Sequence, residues 1–328
     1  MKLTIIDDVS EKNDSWLNND GTAVGANGGT EMIRDNIMSR VDPELLKNFK
    51  FIHSRVRDNF FEEGKKHVLL LHDTWDDPES QWMKDKNLRA RFDKLVFVSN
   101  YQLNTYHLAH GIPYYETIVM KNAIDPIQVN IDDKPKDKVN LIYHTTPHRG
   151  LDLLLVVFLK MAEKYGDMIH LDVFSSYNIY CQAHKDEPYK EIFDVCREHE
   201  NITYHGTQSN EVVREALKNA HIFAYPNTWP ETSCIAMLEA MSAGCQIICP
   251  NFAALPETTA NFATMYPFQE DKIEHANMFA HVLDQSIPMI HDEELIAKLK
   301  FQQSYTNAFY NWDLRKAEWE GLLRSLMV

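Results

Sequence analysis

Short apolar runs alternate with longer amphipathic stretches along most of this chain, and few architectures can bury that pattern. A run too short for a helix and apolar on both faces is a strand covered on both sides, and such strands lie parallel with helices packed over them. The runs are "KLTIID", "FKFIHS", "HVLLLHD", "KLVFVSN" and "ETIVMKN", then "KVNLIYHT", "IHLDVFSS", "NITYHG", "AHIFAYP" and "QIICPN". Between them fall the helix-period stretches "GTEMIRDNIMSRV", "YQLNTYHLAH", "LDLLLVVFLKMAEKY", "PYKEIFDVCREHE", "SNEVVREALKNA" and "SCIAMLEAMSAG". The alternation predicts an α/β chain of βαβ units. Its 328 residues fit two doubly wound halves, at roughly 150 residues per domain.

The seam between the halves is a polar segment with two prolines and mixed charges, "NAIDPIQVNIDDKPKDKVN". We place the domain boundary inside it, with the first domain over 1–130 and the second over 131–307. The closing stretch "NAFYNWDLRKAEWEGLLRSLMV" has the spacing of an amphipathic helix with Trp312, Leu314, Trp319, Leu322, Leu323 and Leu326 turned inward.

A formal net charge of −15 opposes phosphate backbones and anionic headgroups, which disfavours nucleic-acid and electrostatic membrane partners. No stretch approaches the ~20 apolar residues of a bilayer span. The start "MKLTIIDDVSEKND" carries acids where a secretion signal has an apolar core, so a cytoplasmic location is expected. Five cysteines, Cys181, Cys196, Cys234, Cys245 and Cys249, are odd in number and include no CxxC pair, which predicts reduced thiols and no zinc site.

The stretch "PNTWPETSCIAMLEAMSAGC" carries the chemistry. "AHIFAYP" reads as a strand, Pro226 and Pro230 bracket the turn after it, Thr232 and Ser233 can cap a helix, and Gly244 ends it. A helix start offers unpaired N–H groups and partial positive charge to a phosphate. Glu231 and Glu239 would then lie about 12 Å apart along the axis at 1.5 Å per residue. A carboxylate at each end of a diphosphate seat can accept from two polyols, the ribose and the hexose of a nucleotide sugar. The plainer alternative makes Glu231 a first-turn acid and Glu239 a solvated helix charge. Apolar neighbours Met237, Leu238, Ala240 and Met241 argue for a buried wall around Glu239 instead, where an unpaired carboxylate is costly.

The whole stretch "AYPNTWPETSCIAMLEAMSAGCQIICPNFAALPET" resembles the E-x7-E signature of retaining GT-B glycosyltransferases of family 4. Further segments match in order. "GANGGTEMIRDNI" is similar to the family's GG-x-E loop, "LLLHDTW" to its histidine-bearing strand end, "VFVSN" to its serine-containing strand and "VMKNAIDP" to its NG-I-D hinge. "NLIYHTTPHRGLDLLL" resembles the opening of the donor domain in a subgroup reading S/T-x-P-x-RGLD.

The resemblance implies the GT-B fold, two Rossmann-like domains facing across a cleft, with the last helix (308–328) crossing back to the first domain. It implies transfer of a sugar from a nucleotide-diphosphate donor to a hydroxyl with retained anomeric configuration. Glu239 would bond the ribose, Glu231 the transferred sugar, and the N–H groups of Thr232, Ser233 and Cys234 the diphosphate. Arg149, at the place of the family's lysine, would neutralise the leaving group, with Thr146 and Thr207 also in the donor site. Gly28 and Gly29 would admit the phosphates to the first domain's backbone, and His72 would face the sugar. Where much of the family has an arginine five residues before that lysine, this chain has His144.

No metal and no cofactor is implied; the acids of "DTWDD", Asp73, Asp76 and Asp77, stay unassigned. Two other readings stay open, a non-catalytic nucleotide-sugar-binding subunit, or a nucleotide-sugar epimerase or hydrolase. Nicotinamide-dependent dehydrogenation fits poorly, because "GANGGT" does not spell G-x-G-x-x-G. The donor base and the acceptor, a saccharide or another hydroxyl compound, stay open; Trp16, Trp75 and Trp82 could stack on a sugar or simply fill the core.

Overall fold

Continuous apolar runs become parallel strands in both of the compact units into which the chain divides. The computed structural model describes residues 14–328, so the expected strand "KLTIID" lies outside the described residues. One unit runs to Ala123 and regains the chain at Trp312–Val328; the other is Ile124–Asn311. The fold is α/β, with a parallel sheet in each unit.

Among the described residues of the first unit, β1 (Phe49–His53), β2 (Lys66–Leu71), β3 (Lys94–Phe97) and β4 (Thr117–Val119) pair parallel in chain order. Phe51 stands opposite Val68, Leu69 opposite Leu95 and Phe97 opposite Val119. Ile52, Leu69, Leu71, Phe97 and Tyr106 are fully buried there. Helix Asn100–His110 starts directly after β3 because the Ser99 hydroxyl accepts from the Gln102 N–H at 3.0 Å. It ends at Gly111, whose φ of +66° suits a residue without a Cβ.

The final helix, Trp312–Met327, packs within this unit. Trp319 is 1% exposed and meets the ring of Phe51 edge-on at 5.5 Å, and Arg40 lies 5.6 Å over the ring of Trp312. Trp312, Leu322 and Leu323 are buried as their spacing predicts, while Leu314 and Leu326 are half-buried. Arg315 is buried as well, paired with Glu318, a burial the apolar spacing did not indicate.

The second unit holds β5 (Val139–Tyr143), β6 (Ile169–Val173), β7 (Ile202–Tyr204), β8 (Ile222–Ala224), β9 (Gln246–Asn251) and β10 (Thr264–Pro267). All pair parallel, in the order β10-β9-β8-β5-β6-β7. The chain therefore builds outward from β5 through β6 and β7, then restarts on the other side at β8. Connections leave β5 and β8 in opposite directions, which opens a crevice beyond their carboxyl ends, the place where sheets of this kind bind ligands.

The units divide between Ala123 and Ile124, not at residue 130. Ile124 and Ile127 already belong to the second unit: the Ile124 N–H donates to the Tyr310 carbonyl at 2.8 Å and the Ile127 N–H to the Ser242 hydroxyl at 2.8 Å. Ile124 also packs with Leu238 and Tyr310. The chain returns to the first unit at Trp312, four residues later than position 308. Strand β10 and helices Lys272–Ser286 and Glu293–Phe309 were not singled out in the sequence, since polar residues interrupt their apolar pattern.

Replacing Trp319 with Ala should cost about 3–5 kcal/mol of stability, the usual range for emptying a buried aromatic site. Chemical denaturation of the full chain measures this directly. A loss under about 1 kcal/mol would show that the helix does not depend on that ring.

Candidate functional site at the end of the second sheet

The loops following β5 and β8 meet at the crevice, and glycine permits it. Gly150 has φ +113°, and a Cβ there would come within 2.2 Å of the Pro226 carbonyl oxygen. No side chain fits between these backbones, and the conformation itself disfavours one. The single turn Pro147–Arg149 precedes this glycine and points Arg149 toward the loop after β8.

That loop is built from local bonds. Asn227 Nδ2 donates to the Trp229 carbonyl at 2.6 Å while the Trp229 N–H returns to Asn227 Oδ1 at 2.9 Å. The Glu231 N–H donates to the Trp229 carbonyl at 2.8 Å, and the Glu231 carbonyl accepts from the Ala254 N–H at 3.1 Å. These bonds hold Glu231 outside any helix. Helix Ile235–Ser242 begins four residues later, with Cys234 at its N-cap and no side-chain cap bond. Thr232 and Ser233 therefore do not cap it, and the expected separation of Glu231 and Glu239 along one helix axis does not hold, because only Glu239 is helical. Gly244, at φ +68°, follows the helix end.

Arg149 and Glu231 form an ion pair across the two loops, Nη1 donating to Oε1. The Tyr225 hydroxyl donates to the same Oε1 at 2.5 Å. Glu231 is 5% exposed. Burial works against the Arg149 cation, but the Glu231 carboxylate outweighs it and holds the guanidinium well above its ordinary pKa. Burial, reinforced by Glu231, pushes the Tyr225 phenol well above its usual value, so it stays protonated and donates. Arg149 Nε also donates to Thr146 Oγ1 at 3.1 Å, and the Thr146 carbonyl accepts from Tyr143 at 2.9 Å. The Thr146 hydroxyl thus orients the cation.

His144 does not supply a second positive charge. Burial against Phe223, with ring centroids 4.9 Å apart, depresses it to about 3. His148 falls to about 4 through burial and the nearby Arg149. Its ring stacks on Tyr177 at 5.3 Å and meets Trp229 edge-on at 4.9 Å. Arg149 is the cation that the loop after β5 brings to Glu231. The Cys234 thiol, 3% exposed, is pushed up by burial and by Glu231, so it stays protonated.

Glu239 sits on the inner face of its helix, 4% exposed. Asn210 Nδ2 donates to Oε1 at 3.0 Å and to Oε2 at 3.2 Å, and Arg214 Nη1 donates to Oε1 at 3.2 Å. Burial raises its pKa against the pull of these two partners. Thr207 is exposed on the loop after β7.

The structure thus brings Thr146, Arg149, Glu231 and Cys234 together, with Glu239 in the same unit. Tyr225, Asn210 and Arg214 were missed by sequence reasoning. The last two stand four residues apart at one end of a predicted helix, a spacing that places them on one face.

Gly28, Gly29 and His72 belong to the first unit. Gly28 is the N-cap of helix Gly29–Arg40 with an extended backbone that any residue adopts. Glu31 of the same motif is buried, its Oε1 accepting from the Ala23 N–H at 3.1 Å. His72 follows β2, anchored by its N–H to the Ser54 hydroxyl at 2.9 Å, and its Nε2 stands 3.5 Å from Nδ1 of His53. Burial, then His53 and Arg55, holds His72 well below the usual histidine value, while burial takes His53 to about 4. Both rings are neutral at pH 7. Among the described residues no group of three or more His, Cys, Asp or Glu is arranged to hold a metal ion, and no helix is long and apolar enough to cross a membrane.

Residues 126–288, just under half of the chain and all within the second unit, match the model of glycosyl transferases group 1. The chain is similar to one of the subunits of the Homo sapiens phosphatidylinositol N-acetylglucosaminyltransferase, 25% identical over 142 residues. That match covers 42% of this chain and 28% of the relative. Among solved structures it resembles a glycosyltransferase from Rickettsia africae ESF-5, with a TM-score of 0.65 and 14% identity over 93% of this chain and 84% of that one. It also resembles the sucrose-phosphate synthase of Thermosynechococcus elongatus, with a TM-score of 0.60 and 14% identity over 81% and 69%. Anabaena HepE in complex with UDP-glucose is similar too, with a TM-score of 0.59 and 12% identity over 80% and 72%. These likenesses show the fold.

Replacing Arg149 with Met should destabilise the chain by about 3–5 kcal/mol by stranding a buried carboxylate, and adding Glu231→Gln should recover most of that loss. A thermodynamic cycle of the two single variants and the double variant checks it. Additive losses would mean that the pair does not interact.

Proposed function

We propose that this chain is a cytoplasmic, retaining glycosyltransferase that moves a sugar, of the hexosyl type, from a nucleotide-diphosphate donor to an acceptor hydroxyl. The observation that carries the reading is the Arg149–Glu231 pair at the β5/β8 crevice, inside the domain that matches glycosyl transferases group 1. A crevice offering the Arg149 cation and the loop amides that lead into a helix start suits a diphosphate. A buried carboxylate beside it suits polyol hydroxyls.

In this reading the amides of Thr232, Ser233 and Cys234 and the Arg149 guanidinium hold the donor diphosphate. As the glycosidic bond breaks, negative charge collects on the leaving phosphate, and Arg149 stabilises it where it develops. Arg149 thereby exchanges part of its bond to Glu231 for one to phosphate. Glu231, still held by Tyr225, turns its other oxygen to the sugar hydroxyls and stabilises an oxocarbenium-like centre. The acceptor hydroxyl attacks from the face the phosphate leaves, passing its proton to that phosphate, so configuration is retained. Glu239 accepts from the ribose. The neutral ring of His72 is assigned a bond to a sugar hydroxyl, Gly28 and Gly29 a backbone contact to phosphate, and Thr207 a contact to the nucleoside. The fixed charge of Arg149 serves where other transferases use a divalent ion, so none is required.

The test is turnover of uridine, guanosine and adenosine diphosphate sugars with a panel of saccharide acceptors, with the product anomer read by NMR. Retained configuration, activity unchanged by a chelator, and a fall in kcat of about 100-fold or more in Arg149→Ala with a smaller change in donor affinity are expected. Inverted product, or equal losses in kcat and affinity, would contradict the mechanism. Turnover without acceptor would identify a hydrolase or epimerase, and binding without turnover a non-catalytic subunit.

A further inference from the structure

Glu239 is not a bare carboxylate awaiting a ligand; most of its acceptor capacity is already used. An ionised carboxylate offers about four lone-pair directions, two on each oxygen. Oε1 accepts from Asn210 Nδ2 at 3.0 Å and from Arg214 Nη1 at 3.2 Å, which fills it. Oε2 accepts the longer limb of the Asn210 contact at 3.2 Å, which leaves it one direction. Both partners come from the first turns of helix Asn210–Asn219, four residues apart on one face, and Ser209 fixes the start of that helix at its N-cap. Arg214 reaches further: its Nη2 lies 3.4 Å from the carbonyl of Pro126, in the segment by which the chain enters the second unit.

We propose that Asn210 and Arg214 are positioning residues that hold the Glu239 carboxylate ionised and aimed, leaving Oε2 one acceptor direction for a single hydroxyl of a ligand diol. The inference deepens the donor-site reading above and rests on it. Ionisation matters because a protonated Glu239 would present a donor where the diol hydroxyl needs an acceptor. The charged groups acting on Glu239 are Arg214, which favours the carboxylate, and Asp125 from the entering segment, which opposes it. Burial opposes it more strongly than either. Among the described residues, Arg214 is therefore the charge that offsets the cost of burying this group. Its fork bonds Glu239 with one arm and Pro126 with the other, a geometry lysine cannot reproduce.

The sign of the effect follows. Removing Arg214 takes away a cation that stabilises the carboxylate, so the Glu239 pKa rises and the carboxylate protonates at higher pH. Binding of a diol ligand should then be lost earlier as pH falls. Dispersed loosening of the helix would weaken binding at every pH without moving that limb.

The experiment is calorimetric titration of the full chain with uridine, guanosine and adenosine diphosphate across the acid and neutral range. The proteins are wild type, Arg214→Met, Arg214→Lys, Asn210→Ala and Glu239→Ala. For whichever nucleotide binds, Arg214→Met should bind about tenfold more weakly at neutral pH, with its acid limb about one pH unit higher. Arg214→Lys should keep the limb near its wild-type position. Asn210→Ala, altered at an exposed position, keeps the test decisive if Arg214→Met fails to fold, and should move the limb in the same direction by less. Glu239→Ala should show no such limb. An unmoved limb in both Arg214→Met and Asn210→Ala, or a limb that persists in Glu239→Ala, would overturn the inference while leaving the donor site in place. Failure of the wild type to bind any of the three nucleotides would overturn the donor-site reading, and the inference with it.

Discussion

One ion pair joins the two loops on which the second unit's chemistry depends. Arg149 and Glu231 are 82 positions apart in the chain, yet both stand at the crevice where connections from β5 and β8 part. A parallel sheet that grows outward from its centre leaves such a gap. Gly150 brings the backbones together, Pro226 receives that approach, and the salt bridge closes over it. A buried pair of this kind gives little net stability once desolvation is counted. In the function proposed above, its worth lies in holding a cation and a carboxylate at fixed positions that a phosphate and a polyol can each engage.

Electrostatic economy runs through the rest of the site. His144 and His148 are both driven toward neutrality, chiefly by burial. Positive charge in the crevice is thus concentrated on Arg149 rather than spread over titrating rings, and that charge does not change over the physiological range. Glu239 shows the complementary case, a buried acid kept usable by an amide and a guanidinium from the neighbouring helix.

Much of this could be read from residue order, and the remainder could not for specific reasons. Runs such as "HVLLL" and "QIIC" are apolar on both faces and could only be buried parallel strands. Strand β10, "TMYP", is short and half polar, and only Tyr266 of its four residues is buried at the sheet edge, so periodicity carries no comparable signal there. Glu231 and Glu239 stood out by residue type and setting, and Arg149 only through the resemblance to the family's donor-domain opening. Their partners did not, because Tyr225 looks like the end of a buried strand, and Arg214 like a solvated helix charge, until the fold brings each to its carboxylate. The helix start was misread for a local reason. Thr232 and Ser233 are good cap residues by type, but the Ala254 bond to the Glu231 carbonyl pins the preceding backbone in a loop and shifts the start to Ile235.

The central claim is that the β5/β8 crevice and Glu239 together seat a nucleoside diphosphate. The most direct measurement is a thermal-shift panel of uridine, guanosine and adenosine diphosphates, their sugar conjugates and a nicotinamide dinucleotide, run on the wild type and on Glu239→Ala. Stabilisation of the wild type by one nucleoside diphosphate, lost in the variant, is the predicted result, and it names the donor base. Stabilisation by the nicotinamide dinucleotide alone, or by none of the panel, would contradict the claim and return Glu231 and Glu239 to the role of ordinary structural charges.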